Sequence, residues 1–526
     1  MNHHSLYPWQ EECLAAWFSN HGRGIVQAVT GSGKTRLALE AAYRLNRSLT
    51  QKLNVYIVVP SGALMRQWEK ELRHFLEATA QPENEKSQKH LPAPKKQIGL
   101  RGNGCKDRPD CPYMIYVINS ARYELARQIL QDLNNGDAVL LIADECHHYK
   151  SGQNQLIFEF LPYIRPDSTP FFSLGLSATL PSGEDGRYLT SVLGRKIYSY
   201  GMENALKLHT VCPYDIIHIA LSFTREERTE YDDLTEKMNH LYRSLLQISP
   251  ALRKAGKKEC FDILRELSAS KRQRTADMAS SWLMLSYQRK KLVCLASARI
   301  SCATALIRRL APGEKIMVFG ERIQQAEELY QHLHRQYPER VGRIHSQMGA
   351  QANKNILERF RSGDIRILIA CKAVDEGVDI PDAAIGIILS GTSAQRQRIQ
   401  RLGRIIRKNE GKSRASLYYL HISETSEDVC FLPDSRDIRV VELDYRTNTG
   451  EFFCPDYEKK AARLLAKLQH AGADEIKMQE ARRCLRLGCV RTDWMLPGEI
   501  LKEQADRASC TSEKNYWNCM NMLKNC

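Results

Sequence analysis

Along the first two hundred residues, continuous apolar runs alternate with segments whose apolar positions recur every three or four residues. Alternation of that kind is the signature of an α/β sheet. Val55-Tyr56-Ile57-Val58-Val59 stops at Pro60, Val139-Leu140-Leu141-Ile142-Ala143 stops at two acids, and Phe171-Phe172-Ser173-Leu174-Gly175-Leu176 stops at Ser177-Ala178-Thr179. Their near-continuous apolarity predicts strands buried on both faces. Each run has polar residues just past its carboxyl end, which is where open α/β sheets bind ligands.

The same patterning divides the rest of the chain. Residues 1–208 read as a first α/β lobe, interrupted at about 78–110 by a Pro-, Lys- and Gly-rich stretch that predicts a surface insertion. Residues 209–310 read as a helical linker or insertion. There Thr224-Arg225-Glu226-Glu227 precedes Tyr231, Leu234, Met238 and Leu241 at helical steps, and Pro250 breaks the pattern. That region fits a thumb-like insertion and simple packing of two lobes equally. A second α/β lobe is expected over 311–431, with strands at 316–319, 365–370 and 384–389, a helix at 324–335, and residues 414–420 closing it. Residues 432–526 read as a small, mainly helical accessory domain with helices near 461–468 and 475–487.

Composition narrows the function classes. Hydrophobic residues at 43% and charged residues at 26% describe a folded chain, and Lys plus Arg outnumber Asp plus Glu by 76 to 61, a net +15. Such a field draws polyanions, although by itself it fits nucleic acid and an anionic membrane surface alike. The first residues lack the charged and apolar regions of a signal peptide, and no run approaches the roughly 20 apolar residues of a membrane span. A cytoplasmic protein without a membrane partner is expected. Sixteen cysteines scattered through strands and loops fit a reducing compartment better than a disulfide framework. Cys105 and Cys111 are spaced C-x5-C, and of the tail cysteines Cys484, Cys489, Cys510, Cys519 and Cys526 only the first two, as C-x4-C, reach the two-to-four-residue spacing of metal knuckles, with no second such pair to complete a site.

Three motifs carry chemistry. Thr30-Gly31-Ser32-Gly33-Lys34-Thr35 stands between an apolar run and a helical one, with Ala28 where the general phosphate-loop pattern has its first glycine. Glycines let backbone amides curl around phosphate, Lys34 can reach the β- and γ-phosphates, Thr35 can hold Mg²⁺, and the helix start adds its dipole. Asp144-Glu145-Cys146-His147 ends a buried run. Asp144 is suited to hold Mg²⁺ and Glu145 to polarise a water, although alone the four could also be a solvated turn. Arg401, Arg404 and Arg407 recur every three residues around Gly403. Guanidiniums so grouped suit a transferring phosphate, or else grip nucleic-acid backbone.

The order of these motifs resembles the superfamily 2 helicases and translocases, in particular the DEAD/DEAH-like branch with its repair, transcription and restriction motors, over about residues 6–425. The resemblance implies two tandem RecA-like lobes that bind ATP and Mg²⁺ between them. Within it, Tyr7 and Gln10 look like the adenine-recognition element and Thr30 to Thr35 like motif I. Asp144 to His147 look like motif II, and Ser177-Ala178-Thr179 like motif III, which links hydrolysis to strand contacts. In the second lobe, residues 370–381, with Gly377 and Asp379, look like motif V, and residues 400–407 like motif VI. There Arg404 and Arg407 would be arginine fingers and Arg401 an organising contact, while His147 and Gln400 would couple the lobes across ATP. Pro60-Ser61, Leu64 and Gln67-Trp68 look like a strand-contacting element, as do residues 119–123 more weakly. Ser61, Arg66, Arg122 and Thr392 are thereby candidate backbone contacts.

The implied activity is an ATP-dependent helicase or translocase, with DNA favoured over RNA, in repair, restriction or antiviral defence. A nuclease or defence-complex protein is a possible partner. The alternatives are an RNA helicase or remodeller, and an ATP-gated nucleic-acid sensor or scaffold.

Overall fold

Apolar runs buried on both faces build a parallel sheet in the first two hundred residues. The computed structural model describes residues 6–79, 96–165, 169–310, 313–371, 383–390, 405, 414–425, 427 and 438–526. Strands β1 (Arg23–Ala28), β2 (Leu53–Val59), β3 (Ile98–Gly102), β4 (Cys105–Lys106), β5 (Tyr113–Val117), β6 (Ala138–Ala143), β7 (Phe171–Ser177) and β8 (Lys196–Tyr200) pair in the order β4-β3-β5-β2-β6-β7-β1-β8. All are parallel except β4, which runs antiparallel to β3 at the edge. Every residue of β2 and β6 is buried, because helices cover both faces, as a parallel sheet requires. The two faces hold separate apolar layers, one around Trp9, Trp17 and Trp68 and the other around Tyr56, Tyr116 and Tyr149.

The surface insertion expected at about 78–110 is only partly that. Residues 80–95 lie outside the described residues, but 98–106 are two edge strands of the sheet. Ile98 and Leu100 are buried, and Asp107 closes the hairpin by accepting from the Leu100 amide (2.9 Å) and from Lys96 (2.6 Å). Of the features that suggest a loop, Gly102 and Gly104 belong to the turn between these strands, where they take φ of +108° and +86°.

A second sheet of eight described strands corrects two expected boundaries. β9 (Tyr214–Leu221), β10 (Ile316–Gly320), β11 (Val341–Ile344), β12 (Ile367–Cys371), β13 (Ile385–Ile388), β14 (Ala415–Ile422), β15 (Arg439–Arg446) and β16 (Glu451–Phe453) pair in the order β11-β12-β10-β13-β14-β9-β15-β16. β9 lies parallel between β14 and β15, so the sheet begins inside the stretch that reads as a helical linker from 209. It ends at 453, beyond the expected close at 431, with β16 antiparallel at the edge. β9 is buried at seven of its eight positions, yet it carries Asp215 and His218, and polar residues that far inside a strand are legible only once their partners are known.

The chain from 225 to 309 is helical. Thr224 and Glu227 cap its first helix, Arg225–Ile248: Thr224 Oγ1 accepts from the Glu227 amide (3.2 Å), and the Glu227 carboxylate accepts from the Thr224 amide (3.0 Å). Tyr231, Leu234 and Met238 are buried along it. The tail folds as the helices Pro455–His470, Glu475–Arg491, Gly498–Asp506 and Thr511–Lys524, which share one apolar core with β9, β10 and the helix Ala298–Arg309. Among the described residues no helix is long and apolar enough to cross a membrane, and no group of three or more His, Cys, Asp or Glu is placed to hold a metal.

Candidate nucleotide site

The strand order brings the predicted chemistry to one sheet edge. β7 lies between β1 and β6, so the segments after β1 and β6 leave the sheet two strand spacings apart, about 10 Å. After β1 the chain turns through Gly31 (φ +83°) and Gly33 (φ +95°) into the helix Lys34–Ser48, for which Gly33 is the left-handed cap. A side chain at Gly33 would be strained there and would also meet Gln10, since an added Cβ falls 2.9 Å from Gln10 Nε2.

Gln10 is buried and ties the loop to the amino-terminal helix Pro8–Ser19. Its Oε1 accepts from the Tyr7 amide (2.9 Å) and its Nε2 donates to the Gly33 carbonyl (3.0 Å). The Tyr7 ring is exposed beside it. Ser32 is buried and donates to the Val29 carbonyl (2.8 Å), and Lys34 Nζ donates to the Ala28 carbonyl (3.0 Å), so the loop holds its own lysine. Thr30 is half-buried within the loop, and Thr35 is half-buried in the first turn of the helix.

Past β6 the backbone turns sharply. Glu145 adopts φ +46°, ψ +51°, a left-handed conformation that side chains other than glycine rarely take, and a turn of 3₁₀ helix, Cys146–Lys150, follows. Asp144 is buried. Its Oδ2 accepts from Trp68 Nε1 (2.8 Å) and its Oδ1 from the Glu145 amide (2.9 Å). Burial pushes its carboxyl up from the ordinary range, against the pull of the Trp68 hydrogen bond and the nearby Lys34 charge. Oxygen donors of this kind, a carboxylate short of compensating charge and the Thr35 hydroxyl, fit a hard divalent cation such as Mg²⁺.

His147 carries the turn across to β7. Its Nδ1 lies 3.4 Å from Glu145 Oε2 and 2.7 Å from Ser177 Oγ, and Ser177 Oγ in turn donates to the Thr179 carbonyl (2.6 Å). The second and third motifs are therefore one buried hydrogen-bonded chain. We expect Ser177→Ala to destabilise the first lobe by ~1–3 kcal/mol, the cost of taking a partner from buried polar groups, and thermal unfolding followed by a first-lobe probe will measure it.

Trp68 is a residue whose place the sequence does not foretell. The motif order puts it within a strand-contacting element, but its ring is buried and its Nε1 serves Asp144. Only its helix Gly62–Thr79 and the pairing of β2 with β6 bring it there. Ser61 caps that helix, accepting from the Leu64 amide (3.3 Å). Arg66 is half-exposed, paired with Glu69 (3.0 Å) and donating to Cys105 Sγ (3.2 Å); Arg122 donates to Gln153 (2.6 Å) and lies over the Tyr123 ring. Gly377, Asp379, Thr392, Gln400, Arg401, Arg404 and Arg407 lie outside the described residues.

Comparison with known proteins agrees with this layout. Residues 3–182 match the family model described as Type III restriction enzyme, res subunit, and residues 298–409 match the helicase conserved C-terminal domain. The "DNA 3'-5' translocase XPB2" of Sulfurisphaera tokodaii is 26% identical over 407 residues, 77% of this chain and 79% of that protein. The "DNA 3'-5' helicase XPB" of Kineococcus radiotolerans is 24% identical over 427 residues, 81% of this chain and 61% of that one. In fold, the Pyrococcus furiosus Hef helicase domain aligns with a TM-score of 0.51 at 16% identity, covering 80% of this chain and 96% of its own. The S. cerevisiae Dbp5 structure bound to RNA and ADP BeF3 aligns at 0.52 and 13%, covering 84% and 91%. With the two models in tandem over two parallel α/β sheets, and the phosphate loop and acid pair on one edge of the first, the chain belongs to the superfamily 2 helicases and translocases.

Proposed function

We propose that this chain hydrolyses ATP with Mg²⁺ and uses the cycle to move 3′-to-5′ along one strand of DNA. The observation that carries the reading is the chain from the Asp144-Glu145 turn through His147 and Ser177 to Thr179, two strand spacings from the glycine-shaped Lys34 loop. In this reading Lys34 exchanges the Ala28 carbonyl for the β- and γ-phosphates, while the amides around Gly31, Ser32 and Gly33 receive phosphate oxygens. Thr35 and Asp144 hold Mg²⁺, which offsets phosphate charge when bound. Glu145 polarises the attacking water, and Tyr7 and Gln10 flank the adenine.

The resemblance assigns Arg404 and Arg407 the role of directed cations toward the γ-phosphate, and Gly377, Asp379, Gln400 and Arg401 supporting roles in nucleotide binding. His147 and Ser177 pass the state of the site along the sheet edge. Ser61, Arg66, Arg122 and Thr392 grip the sugar-phosphate backbone without reading sequence. The names of the two relatives support DNA and the 3′-to-5′ direction. We place this motor in the cytoplasm, in repair, restriction or antiviral defence, with any cutting supplied by a nuclease or defence-complex partner; of these settings, the description of the matched restriction-enzyme family model supports restriction.

ATP turnover measured with single-stranded DNA, duplex DNA and RNA tests the substrate. Turnover should rise with DNA, and displacement of a bound triplex strand from a tailed duplex should require a 3′-to-5′ track. Stimulation by RNA alone overturns the assignment in favour of an RNA remodeller. Tight nucleic-acid binding without any turnover would make the protein an ATP-gated sensor or scaffold instead.

A further inference from the structure

Arginines concentrate away from the nucleotide site, where the helix Ala298–Arg309 of the second lobe meets the tail helix Glu475–Arg491. Arg308, Arg309, Arg482, Arg483 and Arg486 line a groove of about 460 Å³ together with Gln479 and Leu487, and no carboxylate is among its lining residues. Three carboxylates stand nearby: Glu451 pairs with Arg309 (2.8 Å), Glu475 with Arg482 (3.2 Å) and Glu480 with Arg483 (2.7 Å). Five cations against three anions leave the wall positive, and the Glu475 and Glu480 pairs are solvent-exposed, hence weak and exchangeable. Arg308 donates its Nε to Gln336 (2.7 Å), and neither it nor Arg486 has a carboxylate partner among the described ion pairs.

The frame behind these side chains is rigid. The tail helix buries its opposite side, including Cys484, Leu485 and Gly488, and a Cβ at Gly488 would fall 2.4 Å from the Met520 sulfur. The partner helix is buried from Cys302 to Thr304 and again at Leu306 and Ile307. Arg482 and Arg486, one helical turn apart, project along one face. Arg308 and Arg309 also border a neighbouring cavity of about 680 Å³ that continues to the turn at residues 447–450, with Glu328 the carboxylate among its lining residues. The result is a track of permanently charged donors spaced along a packed frame, which suits a string of phosphates better than a single small anion.

We propose that this groove is a second nucleic-acid site, which holds the phosphate backbone independently of ATP and anchors the motor on long DNA. It rests on the reading of the chain as a DNA motor. It differs from the Ser61, Arg66, Arg122 and Thr392 contacts in being built where the helix Ala298–Arg309 meets the tail helix Glu475–Arg491, and it gives the tail a function.

The test is the salt dependence of binding for the wild-type chain and for an Arg482→Ala/Arg486→Ala variant, on duplexes of about one and about four helical turns. On the long duplex the variant should bind more weakly, with the slope of log Kobs against log salt shallower by about 2, roughly 0.9 for each phosphate that is no longer neutralised. On the short duplex, affinity and ATP turnover at saturating DNA should match wild type, and an unchanged thermal unfolding profile shows that the tail is folded. Equal affinities and slopes on the long duplex overturn the proposal. So does a poly-glutamate peptide that displaces the long duplex from wild type, and not from the variant, more effectively than competitor DNA of equal charge; an acidic protein would then be the occupant. If no nucleic acid stimulates turnover by wild type while the slope difference persists, the motor reading falls and the groove stands.

Discussion

Glu145→Gln is expected to bind ATP as tightly as the wild-type chain and to release phosphate about 10²- to 10⁴-fold more slowly, the range removed with a positioned general base. The substitution keeps the shape of a side chain whose backbone already sits in the uncommon left-handed turn at φ +46°. It also leaves Asp144 and the Trp68 hydrogen bond in place. Binding and chemistry should therefore separate: a fluorescent ATP analogue reads the first, and phosphate release under saturating DNA reads the second. Lys34→Ala provides the contrast, because removing the ammonium that the loop holds at the Ala28 carbonyl should weaken ATP binding as well as turnover. Equal phosphate release by Glu145→Gln and wild type would falsify the base role.

The second large effect is on stability and lies far from the nucleotide site. Asp215 is buried on β9, and its carboxylate takes two hydrogen bonds from each of two guanidiniums, Arg414 (Nε, 2.6 Å) and Arg439 (Nε, 2.8 Å). Arg439 is its register partner on β15, and Arg414 precedes β14 on the other side. Asp215→Ala should destabilise the second lobe by ~3–5 kcal/mol, since it strands two partly buried cations, and Asp215→Asn should fall between that and wild type. Burial alone would raise the carboxyl pKa, but the Arg439 and Arg414 hydrogen bonds outweigh it and hold the group below its usual range. A depressed folded value means that the stability it contributes is complete above its unfolded pKa of about 4. That stability is lost as the pH falls through the folded value. The gap in denaturant midpoint between wild type and Asp215→Ala should therefore be widest near neutrality and shrink in acid; a gap independent of pH would show that the charge itself is not what stabilises the sheet.

The two predictions also mark how far local pattern reaches. The strands at Leu53–Val59, Ala138–Ala143 and Ile316–Gly320 are legible because a run of side chains buried on both faces has no polar position to confuse it. The phosphate loop and the acid pair are legible because their chemistry depends on neighbours in sequence: glycines at fixed offsets from Lys34, and two acids at the end of an apolar run. β9 and β15 do not announce themselves as strands. β15 does carry the apolar-polar alternation of a half-buried strand, but with charge at every exposed position it lacks the continuous apolar run of the legible strands, and β9 hides a charged residue inside it. Asp215 resembles a linker residue until Arg414 and Arg439, about two hundred residues away, are placed beside it.

By itself the sequence determined the nucleotide-binding half of this protein, namely which residues shape the loop after β1 and which acids follow β6. It also announced two α/β lobes in tandem. Tertiary structure decided how those parts work together. It interposed β7 so that Ser177 could join His147 to Thr179, turned Trp68 inward to hold Asp144, extended the second sheet at both ends, and set Arg308 against Arg482 and Arg486 across a groove. The physical reason is the same in each case. A backbone turn or an apolar period is written in consecutive residues, whereas a buried polar group is tolerable only through a partner that folding supplies from elsewhere in the chain.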